Sequence, residues 1–233
     1  MVADIYGTIS AGRKSKYQAD TSIGSTTIPL IQFKNDTAET AGGAVLEDVI
    51  KAAGAGVTIN LSAPVSNNVN YRYSRVTRTG TGTIPAGRDN VVVTAGSVSS
   101  STIVACVLTK DAGEHAGGAS VEYVKKNNGV GFTLYLSDTV DNDTTFDYYI
   151  VSRTGNGTIN SGRDHVTVND AGFVSGNNLI FVALTSNPGD VAGGGVIEWV
   201  DLSAKDLATP TNDFIVWLRA NAQKRTTFDY LIL

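Results

Sequence analysis

Residues 82–88 read Gly-Thr-Ile-Pro-Ala-Gly-Arg, and this heptapeptide decides how the chain is organised because two close copies of it occur elsewhere. Residues 7–13 read Gly-Thr-Ile-Ser-Ala-Gly-Arg, and residues 157–163 read Gly-Thr-Ile-Asn-Ser-Gly-Arg. Each copy begins 75 residues after the previous one. The second glycine of each copy predicts a turn in which that residue has a positive φ, a conformation that glycine adopts without steric cost.

Three further landmarks recur in the same order. The first is Ala-Gly-Gly followed by an apolar stretch with one glutamate, the second is an alternating stretch, and the third is a closing aromatic segment. They occupy residues 41–49, 54–62 and 71–76 in copy one, residues 116–124, 129–137 and 146–151 in copy two, and residues 192–200, 213–218 and 228–233 in copy three. Four ordered landmarks indicate a tandem triplication. The period exceeds the roughly 20 to 50 residues of solenoid and propeller repeats, so each copy is predicted to be a small domain.

The predicted architecture is all-β, with three homologous sandwich or barrel domains of about six strands each. The domains are residues 1–79, 80–154 and 155–233, the third with an insertion around residues 201–212. Short β-branched segments separated by turn residues are typical of sandwiches and barrels. Residues 102–109 are nearly all apolar and too few for a helix, which predicts a strand buried on both faces.

Domain size predicts that the copies depend on one another. A domain of this length buries only ~60% of its unfolded surface and is marginally stable alone. The junctions around residues 78–81 and 153–156 are short. We therefore expect the three copies to pack together, as either a ring or a rod.

Composition argues against several classes of function. The net charge is −4 and the isoelectric point is about 5.1, so no nucleic-acid partner is expected. No apolar run approaches a membrane span, and the first residues do not resemble a signal peptide. The single cysteine, Cys106, lies in an apolar run and is predicted to be a core residue.

Candidate catalytic and metal-binding residues are sparse. His115 and His165, the two histidines, fall at non-equivalent positions of the repeat, which argues against a zinc site or a Ser-His-Asp triad. Residues 138–143 form an oxygen-rich loop, for which Ca²⁺ binding is the less favoured interpretation. We therefore predict no enzymatic activity, no cofactor and no metal. A hydrolase with a carboxylate pair remains a distant alternative.

Three sets of repeated positions are candidates for surface or interface roles. They are the arginine after the glycine turn, the glutamate within an apolar strand and the tyrosine of the closing segment. Their members are Arg13, Arg88, Arg163, Glu47, Glu122, Glu198, Tyr73, Tyr148 and Tyr230. For the charged positions, turn capping and ion pairs are favoured over three equivalent binding sites. For the tyrosines, core or interdomain packing is favoured over an exposed subunit contact or sugar platform.

The Thr-, Val-, Gly- and Asn-rich strands, with the repeated Gly-Thr-Ile-x-x-Gly-Arg and Phe-Asp-Tyr motifs, resemble accessory proteins of tailed bacteriophage virions. These include capsid decoration (cement) proteins and fibre or adhesin domains. The resemblance implies a non-enzymatic protein located in the virion, whose partner is the major capsid protein or another virion protein. The acidic charge balance and the lack of a long apolar run lead us to expect neither a nucleic-acid nor a membrane partner.

Triplication suits this interpretation and one alternative. Three equal domains can mimic a trimer and occupy a three-fold or quasi-three-fold position of a lattice, because repeated contacts are then satisfied together. Three equal sites can also give avidity to a carbohydrate-binding attachment protein that recognises a cell-surface glycan. Homo-oligomerisation of the chain stays open.

Overall fold

The computed structural model describes residues 5–34, 44–110, 119–170, 178–189, 195–202 and 213–233. These ranges contain eighteen strands and no helix, which confirms an all-β fold of three six-stranded units. The Ala-Gly-Gly landmarks, His115 and most of the predicted insertion lie outside the described ranges. Within those ranges, no helix is long and apolar enough to cross a membrane.

The strand order is the same in each copy. Copy one contains β1 (Ile5–Ile9), β2 (Ser15–Ala19), β3 (Thr27–Phe33), β4 (Leu46–Ala52), β5 (Gly56–Leu61) and β6 (Val69–Thr77). Copy two contains β7 (Gly80–Ile84), β8 (Asn90–Thr94), β9 (Thr102–Leu108), β10 (Val121–Asn127), β11 (Gly131–Leu136) and β12 (Thr144–Ser152). Copy three contains β13 (Gly155–Ile159), β14 (His165–Asn169), β15 (Ile180–Leu184), β16 (Ile197–Asp201), β17 (Asp213–Leu218) and β18 (Thr226–Ile232).

Each copy is a sandwich of two antiparallel three-stranded sheets. In copy one, the order β1-β6-β3 forms what we call the axial sheet, and β2-β5-β4 forms the flanking sheet. Copies two and three repeat this arrangement as β7-β12-β9 with β10-β11-β8, and β13-β18-β15 with β14-β17-β16. Side chains alternate between the two faces of a strand, so Val57, Ile59 and Leu61 of β5 are buried while the residues between them are partly exposed.

The repeated heptapeptide has two glycines with different roles. The second one, Gly12, Gly87 or Gly162, has a φ of 78°, 75° or 80°, as the repeat predicts. The first lies opposite an aromatic residue of the closing strand, and the pairs are Gly7 with Tyr71, Gly82 with Phe146 and Gly157 with Phe228. A Cβ on Gly82 would lie 2.3 Å from the Phe146 ring, so the glycine leaves the space that the ring occupies.

The three copies close into a ring rather than a rod. Strands β3, β9 and β15, one from each axial sheet, contact one another in all three pairs. Neighbouring flanking and axial strands also contact in cyclic order: β4 meets β9, β10 meets β15, and β16 meets β3. The contact between one copy and the next is thus repeated three times, and the third contact returns to copy one. This cyclic arrangement defines a pseudo-three-fold axis through the molecule.

The strands at this axis bury both faces, as predicted for residues 102–109. In β9, Val104, Cys106 and Leu108 pack into the core of copy two. The alternate residues Ile103, Ala105 and Val107 belong to a cluster that also contains residues of copies one and three. The shared cluster explains how three units of marginal size support one another.

Candidate functional site

The three repeated glutamates occupy the same irregularity of the flanking sheet. The pairing register shifts between Leu46 and Asp48, between Val121 and Tyr123, and between Ile197 and Trp199. The extra residues are Glu47, Glu122 and Glu198, so each glutamate is the bulged residue of its strand. A β-bulge redirects a side chain relative to the regular alternation of the strand. The three positions are therefore equivalent, as the repeat predicts.

The bulges bring the glutamates to a cavity between the copies. The cavity has a volume of about 100 Å³ and is lined by equivalent positions of all three copies, including Ile31, Cys106 and Val182. Glu47 and Glu198 are buried, and Glu122 accepts a hydrogen bond from the Gly195 amide of copy three at 3.4 Å. The glutamates thus contribute to the joint between copies rather than to an outer surface.

Cys106, which lines this cavity, is a buried free thiol. Burial raises the pKa of the Cys106 thiol well above its usual range, and the neutral thiol is a poor nucleophile. In the described part of the chain, no three His, Cys, Asp or Glu side chains are grouped to hold a metal ion. In the loop considered for Ca²⁺, the Asp143 carboxylate instead accepts the Ala86 amide at 3.0 Å.

Sequence reasoning missed an ionic clamp between copies one and two. The buried carboxylate of Asp147 on β12 accepts hydrogen bonds from Lys51 at 2.5 Å and from Arg78 at 3.0 Å. Lys51 also donates to the carbonyls of Ser25 and Thr27, each at 3.0 Å. Because both cations belong to copy one and the carboxylate to copy two, the cluster holds the two copies together.

The junction between copies two and three repeats the clamp. The buried Asp229 carboxylate binds Lys126 at 2.7 Å and also pairs with Arg153. Lys126 donates to the carbonyls of Thr102 at 2.8 Å and Ser100 at 3.4 Å. The same pattern could have been read from the aligned sequence, in which a lysine, an arginine and an aspartate recur at equivalent positions of the repeat.

The junction between copies three and one replaces the clamp by a different network. Arg72 stands at the position of the two aspartates, and Leu202 stands at the position of the two lysines. The side-chain oxygen Oε1 of Gln32 accepts hydrogen bonds from the Ile180 amide at 2.8 Å and from Arg72 Nε at 3.3 Å. Arg72 and Gln32 are both buried. We refer to this contact as the closing junction, and to the other two as the linked junctions.

The flanking sheets also differ at the junctions. In copy three, the Trp199 ring stacks on Trp217 with centroids 5.3 Å apart, and Trp199 packs against the core cluster of copy one. His165 stacks on the other side of Trp217 at 4.3 Å. The equivalent pair in copy two is Tyr123 and Tyr135, stacked at 4.3 Å, and Tyr123 packs into copy three.

The three repeated arginines lie at the exposed turn that the glycines predict. The amide groups of Arg13, Arg88 and Arg163 each donate to the residue three positions earlier at 3.1 Å. Their side chains are exposed and form no ion pair with the described residues. The backbone geometry of the turn therefore accounts for the position of these residues and leaves their guanidinium groups accessible.

The three repeated tyrosines are buried, which agrees with the favoured interpretation of core packing and removes them from the surface candidates. Tyr73, Tyr148 and Tyr230 are buried because they point between the two sheets of each sandwich. Tyr73 donates to Asp20 at 2.8 Å, and Tyr230 donates to the equivalent Asp170 at 2.6 Å. Burial raises the pKa of Tyr230 to about 12. An external sugar platform at these positions is therefore ruled out.

No protein-family model matches the chain, and neither a curated protein nor a solved structure is significantly similar to it.

Proposed function

We propose that the protein is a non-enzymatic structural component of a virion that binds the outer capsid surface as a decoration protein. The observation that carries the proposal is the closed pseudo-three-fold ring. A single chain that presents one surface three times around an axis can satisfy three equivalent contacts of a three-fold or quasi-three-fold partner at once. The three contacts then reinforce one another through their high effective concentration.

The exposed motif turns supply a contact of this kind. Arg13, Arg88 and Arg163 are related by the pseudo-three-fold rotation, so they form three equivalent cationic positions around the axis. A partner with acidic groups at a matching radius fits this arrangement, because charge complementarity at an interface sets orientation and association rate. The major capsid protein, or another virion protein at a three-fold position, is the proposed partner.

The use of the buried polar groups supports a binding role rather than a catalytic one. Asp147 and Asp229 form ion pairs within the linked junctions, and Gln32 accepts a hydrogen bond within the closing junction. These groups stabilise the ring and thereby keep the outer surfaces in fixed relative positions. A rigid arrangement of contacts is what a multivalent structural protein requires.

The test is binding to assembled particles. Particles purified from cells that produce the virus should carry the chain at a fixed, saturable ratio to the capsid protein. Electron microscopy should then show a three-lobed density on three-fold or quasi-three-fold positions. Particle fractions free of the chain would contradict the proposal.

A charge-matched pair of triple variants sharpens the test. The variant R13A/R88A/R163A should lower particle occupancy at least about tenfold, because the loss is repeated at three contacts. The variant Y17E/V92E/T167E changes the net charge equally at equivalent exposed positions of the flanking sheets, and it should bind normally. Equal losses in the two variants would show a general charge effect instead of a contact at the turns.

A further inference from the structure

Each linked junction forms an open polar cleft beside its ionic clamp. The cleft between copies one and two has a volume of about 490 Å³, and the cleft between copies two and three has a volume of about 430 Å³. The first is lined by Lys51, Arg78, Thr83, Thr109, Thr145 and Asp147. The second is lined by the equivalent residues Lys126, Arg153, Thr158, Thr185, Thr227 and Asp229. Both volumes lie in the range of roughly 300–1,000 Å³ that is usual for small-molecule sites.

One side of each cleft carries a fixed cationic group. Asp147 neutralises one of its two partners, so the clamp of Lys51, Arg78 and Asp147 has a net charge of +1. The carboxylate is buried, whereas 31% of the Arg78 side chain is exposed at the cleft. Arg153 is similarly placed in the second cleft, with 27% of its side chain exposed. The clamp orients each guanidinium group, and the arginine side chain that carries it stays partly exposed beside the cleft.

The other side of each cleft carries threonine hydroxyl groups. The hydroxyls of Thr109 and Thr145 are hydrogen-bonded at 2.9 Å, and those of Thr185 and Thr227 at 2.8 Å. A hydroxyl group has one donor and two acceptor positions, so each pair retains acceptor positions for a ligand, and in the second cleft Thr227 also donates to Ser186 at 3.1 Å. Thr83 and Thr158 extend the hydroxyl surface in the two clefts.

We propose that the two clefts are equivalent binding sites for a saccharide that bears a carboxylate, such as a uronic or sialic acid. The exposed guanidinium edge binds the carboxylate, since such charge-assisted hydrogen bonds are the stronger class. The threonine hydroxyls bind the hydroxyl groups of the sugar ring. This role goes beyond capsid binding, and it places the glycan sites at positions unrelated to the buried tyrosines.

The closing junction provides an internal comparison within the same chain. Leu202, Arg72 and Lys34 stand at the positions of the lysine, aspartate and first paired threonine of the clefts. The Lys34 ammonium lies 6.0 Å from the centre of the Tyr6 ring. At the position of Tyr6, the linked junctions have a short polar residue. The substitutions remove the clamp and the paired hydroxyls together. The expected stoichiometry is therefore two sites per chain.

Calorimetric titration of the isolated full chain tests the proposal. Sodium glucuronate and N-acetylneuraminate should bind with two sites per chain at millimolar or lower dissociation constants, and at least about tenfold more tightly than glucose or acetate. A polyuronate should bind more tightly than its monomer if one polymer reaches both clefts. No saturable binding of either acid would overturn the proposal, and so would acetate binding as tightly as the acids.

Isosteric variants assign the sites. The pair T109V/T145V should remove one of the two sites, the pair T185V/T227V the other, and the combination of all four both sites. Because threonine and valine have similar shapes and these hydroxyls lie at the surface, the unfolding midpoint should change little. Retention of two sites in the fourfold variant would overturn the assignment. The assay uses no particles, so its failure would leave the capsid proposal untouched.

Discussion

The linked junctions and the closing junction join equivalent strands through different kinds of contact. At the linked junctions, short connections already hold the copies close, and a partly exposed cluster of two cations and one aspartate aligns them. At the closing junction, copies one and three are far apart along the chain, and the entropy of closing that long loop opposes their contact. There the molecule uses buried amide hydrogen bonds and an indole ring. The comparison teaches that tandem copies can share one fold while each joint is adapted to its place along the chain.

The largest effect is expected when the indole at the closing junction is removed. Trp199 is partly buried against the core cluster of copy one, so Trp199→Ala should lower the free energy of unfolding by about 2.5 kcal/mol, somewhat less than the roughly 3–5 kcal/mol of a fully buried aromatic residue. It should also raise the radius of gyration measured by small-angle scattering, because copies one and three separate.

Tyr123→Ala is the matched control at the equivalent position of a linked junction. It should lower stability similarly while the radius of gyration stays constant, because the chain still connects copies two and three. Equal expansion of both variants would contradict the distinction between the two kinds of junction.

A smaller loss is expected from Gln32→Val, which introduces the residue found at the equivalent position 107. The Ile180 amide then lacks its acceptor in a buried place, which costs about 2 kcal/mol in the free energy of unfolding. Hydrogen exchange measured by NMR should show faster exchange at Ile180. Val107→Ala removes only methyl groups and should leave that amide protected. Unchanged protection of Ile180 in Gln32→Val would refute the role assigned to the glutamine.

Removal of the aspartate charge should destabilise the protein equally at the two clamps, and the two losses in the free energy of unfolding should add. Asp147→Asn removes the charge that Lys51 and Arg78 share, and it should cost about 2 kcal/mol because the aspartate is buried while Arg78 is partly solvated. Asp229→Asn should cost the same, and the double variant should show the sum within about 0.5 kcal/mol. Urea denaturation gives all three values. Strong non-additivity would indicate that the two clamps are coupled through the ring.

The smallest effects concern the motif turn itself. Gly87 has a φ of 75°, so Gly87→Ala should cost about 1 kcal/mol in the free energy of unfolding. Arg88→Ala at the next position should change stability by less than about 0.5 kcal/mol, since its side chain is exposed. Thermal unfolding should separate the two variants clearly. A larger loss for Arg88 than for Gly87 would assign the arginine a structural role after all.

The sequence predicted the elements better than their assembly. Alternation in residues 132–137 and the apolar run at residues 102–109 reflect local burial, and both became strands as expected. Ring closure depends on contacts between residues far apart, such as Gln32 with Ile180, which no local periodicity records. The bulges could not be predicted from the sequence either, because one extra residue in a strand leaves the composition of that strand unchanged.

The candidate residues likewise divide into those that the local sequence could predict and those that it could not. The arginines and glycines of the turn followed from backbone geometry that the motif itself encodes. The tyrosines lie on strands whose two faces are both occupied, so the pattern could not tell which neighbour covers Tyr148. The clamps could have been recognised, because Asp147 and Asp229 align with each other and differ in charge from Arg72.

The charge reversal at position 72 distinguishes copy one from the other two copies, so the three rotational orientations of the ring are not identical. A partner with perfect three-fold symmetry would accept the ring in three rotational settings of equal energy. This degeneracy favours the complex by about 0.6 kcal/mol in mixing entropy, from RT ln 3. A reconstruction averaged about that axis would superpose Arg72 on Asp147 and Asp229, and the individual joints would be recovered only by classifying each particle position separately.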